Sequence, residues 1–232
     1  MYQKITHTIV EEHFNHPIAS QIKKTLDRSR IPTNEIFLES KFQEDLHDYF
    51  STYLTAITDM INSVNETEEN LVTPFENMFK TNWIDHLGNM TKPFYPSVLS
   101  ETINLSLRQL ALLTFYTVQL SKFGKEPRVI VNSLRNSTAD QLATQMESVN
   151  YSWPYDTVRM MFIDIVDNII VQTTARLNKD SATEQLAKDD LARLFSSFEE
   201  MFLGGIFGQF PYRFTNSIAP VPVTMTNDRD MM

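Results

Sequence analysis

The sequence points to an all-α fold, a multi-helix bundle of about six to eight helices around a central apolar helix at residues 100–123, with an extended C-terminal arm. Three observations carry that expectation. No charged residue stands between Arg108 and Lys122. Apolar residues recur at three- and four-residue steps along most of the chain. Ten prolines stand against only five glycines, three of them at 204, 205 and 208, which leaves few tight turns for a many-stranded sheet.

The central segment carries its own start and stop signals. Ser100 is placed to N-cap it, Glu101 sits in the first turn, Lys122 in the last, Gly124 follows as the residue after the cap, and Pro127 blocks continuation. Ile103, Leu107, Leu110, Ala111 and Thr114 share one stripe, while Leu112, Leu113, Phe115, Tyr116, Val118 and Leu120 fill the other faces. That is the pattern of a helix enclosed by other helices. A membrane span needs ~20 predominantly apolar residues, and this stretch is too short and too polar at its ends.

The other elements follow in order. Residues 1–16 fit neither helix nor strand period; Pro17 suits the first turn of a helix to about Ser29, and Arg30 to Pro32 break it. Asn34 is a fitting N-cap for a helix from Glu35 to about Val64, in which Phe42, Leu46, Tyr49, Tyr53, Ile57 and Met60 recur at helical steps. After a polar loop at 65–70, Thr73 and Pro74 open a helix that Gly88 can end. Pro127 can start a short helix through Leu134, and Ser137 with Asp140 resembles a cap for another through Val149. Residues 151–154 read as a joint. A second apolar helix is expected over 156–177, with a strand alternative at 163–171. Ser181 and Glu184 form a capping box for a last helix, closed by Gly204 and Gly205. The domain so defined is 1–203, followed by the arm at 204–232.

Composition narrows the function. At 42% hydrophobic over 232 residues, the chain can bury one substantial core. With no cysteine there is no disulfide framework, thiol nucleophile or thiolate metal site. A net charge of -9 argues against a nucleic-acid surface. The one local basic run, Lys23, Lys24, Arg28 and Arg30, spreads around a helix as a solvated face. The first residues hold two glutamates and no continuous apolar core, so a secretory signal is not expected. The expected location is the cytoplasm, or a virion assembled there.

Candidate chemistry is sparse. Glu44 and His47 lie three apart on a helix face, the step used by di-iron carboxylate bundles, and His13 with His16 could complete a shell for iron or manganese. A metal- or haem-dependent oxidoreductase is the reading those residues support. Asp164 and Asp167 interrupt an apolar helix and, if buried, call for an arginine such as Arg108. No Ser-His-Asp order and no glycine-rich phosphate loop is present. The sixteen Phe and eleven Met suit a packed core or an apolar binding surface. In outline the run from 93 to 177, an amphipathic helix, a joint and a second long helix, resembles the phasins, helical coat proteins of polyester granules, which implies a lipid- or polymer-surface binder. Phasins are alanine-rich and poor in aromatics, the reverse of this chain. The leading expectation is a non-enzymatic subunit of a larger, possibly viral assembly. It docks on a protein partner or a second copy through Phe207, Phe210, Tyr212 and Phe214 of the arm.

Overall fold

A computed structural model describes residues 37–65, 73–74, 76–77, 83–124 and 128–215. Among these residues there are six α-helices, here α1 (Glu39–Asn62), α2 (His86–Thr91), α3 (Ser97–Lys122), α4 (Arg128–Val149), α5 (Tyr155–Leu177) and α6 (Ser181–Gln209). Two two-residue strands, β1 (Phe37–Leu38) and β2 (Phe214–Thr215), pair in parallel, Phe37 against Phe214 and Leu38 against Thr215. The all-α bundle is what the hydropathy predicts, and the strand alternative at 163–171 is helix. Among the described residues no helix is long and apolar enough to cross a membrane.

The central helix is α3. It lies against α1, α2, α4 and α5, and its buried residues, from Leu99 through Ile103, Leu110 and Leu113 to Val118, occupy several faces rather than one. Gly124 adopts the left-handed φ of 66° expected after its end. Its start differs from the expectation. Helix α3 begins at Ser97 behind Pro96, and Ser100 is buried one turn inside, its hydroxyl 2.7 Å from that of Thr91, which itself donates to the Gly88 carbonyl. Ser100 links two helices instead of capping one. From the outer side, α1 is pinned by two buried phenols: Tyr53 donates to the Leu107 carbonyl at 2.6 Å and Tyr49 to that of Ile84 at 3.1 Å.

Four further boundaries depart from local signals, each for a tertiary reason. Helix α1 starts at Glu39, because Phe37 and Leu38 are held extended by the pairing with β2. Asn34, the expected cap, lies outside the described residues, as do 1–36 as a whole. Gly88 sits inside α2, where a Cβ would fall 2.0 Å from Asn104 Oδ1 and 2.4 Å from the Ser100 carbonyl oxygen; it marks a close approach of α2 to α3 rather than a helix end. Helix α4 is continuous where two short helices are expected. The Ser137 hydroxyl donates to the carbonyl of Leu134 within the helix, and Asp140 reaches across to Arg159 Nε at 2.6 Å and Tyr155 Oη at 3.0 Å on α5. Helix α6 is capped one residue before the expected box, by Asp180, whose carboxylate accepts from the Thr183 N–H at 3.1 Å and hydroxyl at 2.7 Å; Glu184 is drawn off to Arg176 at 2.6 Å.

Gly204 and Gly205 likewise do not close α6, which runs on to Gln209. A Cβ on Gly205 would lie 2.0 Å from Trp153 Nε1, so this glycine admits an indole against the helix backbone, whereas Gly204 and Gly208 face open space.

Two outcomes follow. Gly88→Ala should lower stability by about 1–3 kcal/mol through overpacking, since a backbone carbonyl cannot move aside. Gly208→Ala should be neutral or stabilising by up to about 1 kcal/mol, because an alanine inside a helix restricts only the unfolded chain. Chemical denaturation of both variants checks the contrast, and an equal effect would refute it. Separately, the hydrogen bond from Arg159, helped by Tyr155, holds the Asp140 carboxyl below its ordinary value of 3.8. Its contribution is complete above that value and is lost as pH falls through the lowered one in the folded state. The acid limb of the wild-type stability profile should therefore be steeper than that of Asp140→Asn.

Candidate partner-binding end of the bundle

Three chain segments meet at one end of the bundle: the turn at 93–96, the joint at 150–154, and the run from Ile206 through β2, with β1 beside it. Trp153, fully buried, stacks on Phe202 with ring centroids 5.1 Å apart and 12° between planes, packs 5.2 Å from the Tyr95 ring, and donates from Nε1 to the Met201 carbonyl at 3.0 Å. Beside it, buried Asn150 uses its whole amide. Its Nδ2 donates to Tyr95 Oη at 2.9 Å and to the Gly205 carbonyl at 2.7 Å, and its Oδ1 accepts from Ser152 N at 2.9 Å, an Asx turn that shapes the joint. Tyr95 Oη donates onward to Gln209 Oε1 at 3.0 Å, and Gln209 Nε2 donates to the Val149 carbonyl at 3.1 Å. Burial pushes the Tyr95 phenol well up, against the opposing pull of the bond from Asn150, so it stays protonated and remains a donor.

The C-terminal side of this network closes on aromatic rings. Arg213, only 4% exposed, donates from Nη1 to the Pro93 carbonyl at 2.5 Å, and its guanidinium lies 5.0 Å from the Phe94 ring centroid and 5.5 Å from that of Phe37. Phe214 stacks on Phe94 at 5.5 Å and meets Phe207 edge-on at 4.5 Å; Phe42 touches Phe94, Phe207 and Phe214 at 5.5 to 6.1 Å.

Of the four aromatics expected to bind a partner, Phe207, Phe210 and Phe214 pack against the bundle's own core, and Tyr212 is 76% exposed. Leu38 at 53% and Tyr151 at 87% are exposed at the same end, on β1 and on the joint. Residues 216–232, the rest of the expected arm, lie outside the described residues.

The expected metal ligands are placed as follows. Glu44 is engaged by Lys41 at 3.3 Å, and His47, its side chain 71% exposed, lies 3.3 Å from Glu199 on α6, so the two look to different partners. His13 and His16 are outside the described residues. Among the described residues no three His, Cys, Asp or Glu side chains stand close enough to share a metal ion. The two interior aspartates are half-buried; Asp167 pairs with Arg135, while Arg108 pairs with Asp85 at 2.5 Å. An apolar cavity under α3, lined by Phe50, Ser106, Leu107, Leu142 and Phe195, measures about 20 Å³, roughly the room of one water molecule.

Sequence patterns miss the residues that build this end. A signal for Asn150 existed, since Asn two residues before Ser152 and ahead of Trp-Pro is an Asx-turn arrangement. Arg213 had none: a lone arginine among aromatics reads as a surface residue until its rings are seen to fold around it. No protein family, curated protein or solved structure matches this chain.

Asn150→Ala should cost about 2–4 kcal/mol, because it strands the buried Gly205 carbonyl and weakens the Tyr95 bond. Thermal unfolding should show it as a fall of roughly 4–16 °C for a domain of this size. Asn150→Asp, which keeps the acceptor for Ser152 but loses both donors, should not recover the loss. Recovery by Asp would place the whole effect in the turn.

Proposed function

We propose that this chain is a non-enzymatic helical binding protein, a subunit of a larger assembly, which engages a protein partner or a second copy of itself at the bundle end where the C-terminal segment leaves. The observation that supports this reading is the exposure of Leu38, Tyr151 and Tyr212, each borne on one of the segments whose buried side chains meet at this end. Tyrosines offer large contact area at small entropic cost, and a buried hydrogen-bond network beneath them lowers the ordering cost of association. Strand β2, held by its pairing with β1, ends at Thr215, the residue before 216–232, so the C-terminal segment begins from a fixed point at this end.

Deleting 216–232 leaves every described contact in place. Circular dichroism should keep the helical signal of the bundle, while light scattering should show the species falling toward the mass of one truncated chain, somewhat below the 26.9 kDa of the full one. Tyr151→Ser with Tyr212→Ser should act in the same direction. A mass that stays the same in both variants counts against the proposal. Deleting 205–232 is a different experiment, since it strips Phe207, Phe210, Arg213 and Phe214 from the core and should abolish cooperative unfolding.

A further inference from the structure

The seam between α3 and α5 changes character along its length. In the middle of the bundle it is apolar and incompletely filled: the cavity of about 20 Å³ is lined by Leu107 and Leu110 of α3 and by Phe162 and Ile165 of α5. These residues set the alignment of the two helices, 107 against 162 and 110 against 165. Ala111 with Val166 and Thr114 with Ile169, the next facing pairs, are all buried. Seven residues make about two helical turns and return to the same face. Two turns past Leu110 and Ile165, the alignment sets Thr117 against Gln172, and one turn further Ser121 against Arg176. The 3-10 turn at Ser63–Asn65, which follows α1, touches both helices.

Each of those four side chains holds a buried polar atom with no hydrogen-bond partner among the described residues: Thr117 Oγ1, Ser121 Oγ, Gln172 Oε1 and Arg176 Nε. Thr117 is fully buried and Gln172 is 1% exposed. Other threonines on the same helices look after themselves. Thr114, Thr173 and Thr174 each donate to the carbonyl four residues back, at 2.7 to 2.9 Å, whereas Thr117 does not. Protein interiors pair nearly all such groups, with protein or with ordered water, because an unpaired one is costly.

We infer that the C-terminal part of the α3–α5 seam is an internal hydration site, in which ordered water joins Gln172 Oε1 to Thr117 Oγ1 and Ser121 Oγ to Arg176 Nε. The donor set selects the ligand. An arginine Nε–H only donates, an amide oxygen only accepts, and a hydroxyl does either. Glu184 neutralises Arg176, accepting from its Nη1 at 2.6 Å, so the seam offers an ion no net charge. A neutral species that both donates and accepts is required, and a buried water typically makes about three such bonds. Thr117 stands twenty residues beyond Ser97, a rise of about 30 Å along α3, so this site is separate from the end that binds the partner.

The test is ¹⁷O relaxation dispersion of the solvent, whose amplitude counts water molecules held in a protein for longer than it takes to tumble. It is measured on the full chain and on T117V/Q172M, whose near-isosteric side chains keep the shape of the seam and remove two of the four groups. The amplitude should drop by the equivalent of at least one water per chain, with the helical circular dichroism retained. If the double variant does not fold, Gln172→Met alone is read in the same way. Thermal unfolding supplies an independent sign. An amide bonded to water contributes to stability, so Gln172→Met should lower the midpoint by roughly 2–4 °C, whereas removing a dry, unpaired amide should raise it. An unchanged dispersion amplitude, or a midpoint that rises, would overturn the inference.

Discussion

One buried amide holds this molecule together at its most demanding point. Where α4 turns into α5 the backbone must reverse while packed against α6, and reversal leaves polar groups that no helix satisfies. Asn150 answers for the joint, for the α6 backbone at Gly205 and for the phenol of Tyr95 at once. Buried polar groups are costly when unpaired and specific when fully paired. A leucine there would fill the space but could not dictate which turn of α6 faces the joint. The register of α6 against α4 and α5 therefore rests on directional bonds, and the surrounding rings of Trp153, Phe202 and Phe210 supply the apolar burial.

Glycine has an unexpected role in this architecture. Gly88 and Gly205 lie within helices, where glycine is unfavourable by up to about 1 kcal/mol relative to alanine. Each stands where another element presses against the helix backbone, α3 at Ser100 and Asn104 in one case and an indole in the other. The dispersion attraction of so close an approach offsets the lost propensity. The same two residues read, on local signals, as helix stops. Local chemistry and tertiary packing use one residue type for opposite ends, and only the neighbour across the interface decides between them.

That distinction explains what was legible in the sequence and what was not. The uncharged run of α3 and the periodic stripe of α1 declare buried helices because burial acts on every third or fourth residue and so leaves a repeated mark. The joint at 151–154 and the left-handed Gly124 are equally plain, being set by backbone chemistry within a few residues. By contrast, Ser100, Ser137 and Gly205 carry signals whose meaning is reassigned by other groups: Thr91, the helix's own Leu134 carbonyl, and Trp153. The candidate site was the least legible part. Phe207, Phe210 and Phe214 are visible as an aromatic cluster, but whether such rings face inward or outward depends on Arg213, Phe94 and Phe37, which periodicity cannot bring together.

The pairing of β1 with β2 carries a consequence for how the protein is made. These strands lie near opposite ends of the described chain, and closing a loop of that length costs about 4–5 kcal/mol in chain entropy before any contact repays it. A ribosome releases residues in order, at about 5–20 per second, so Phe37, Phe42 and Phe94 wait on the order of ten seconds or more for Phe214 to arrive. During that interval a sticky ring of aromatic surface stands uncovered on the nascent chain. It is the natural place for a chaperone to grip, and for two unfinished copies to tangle if none does.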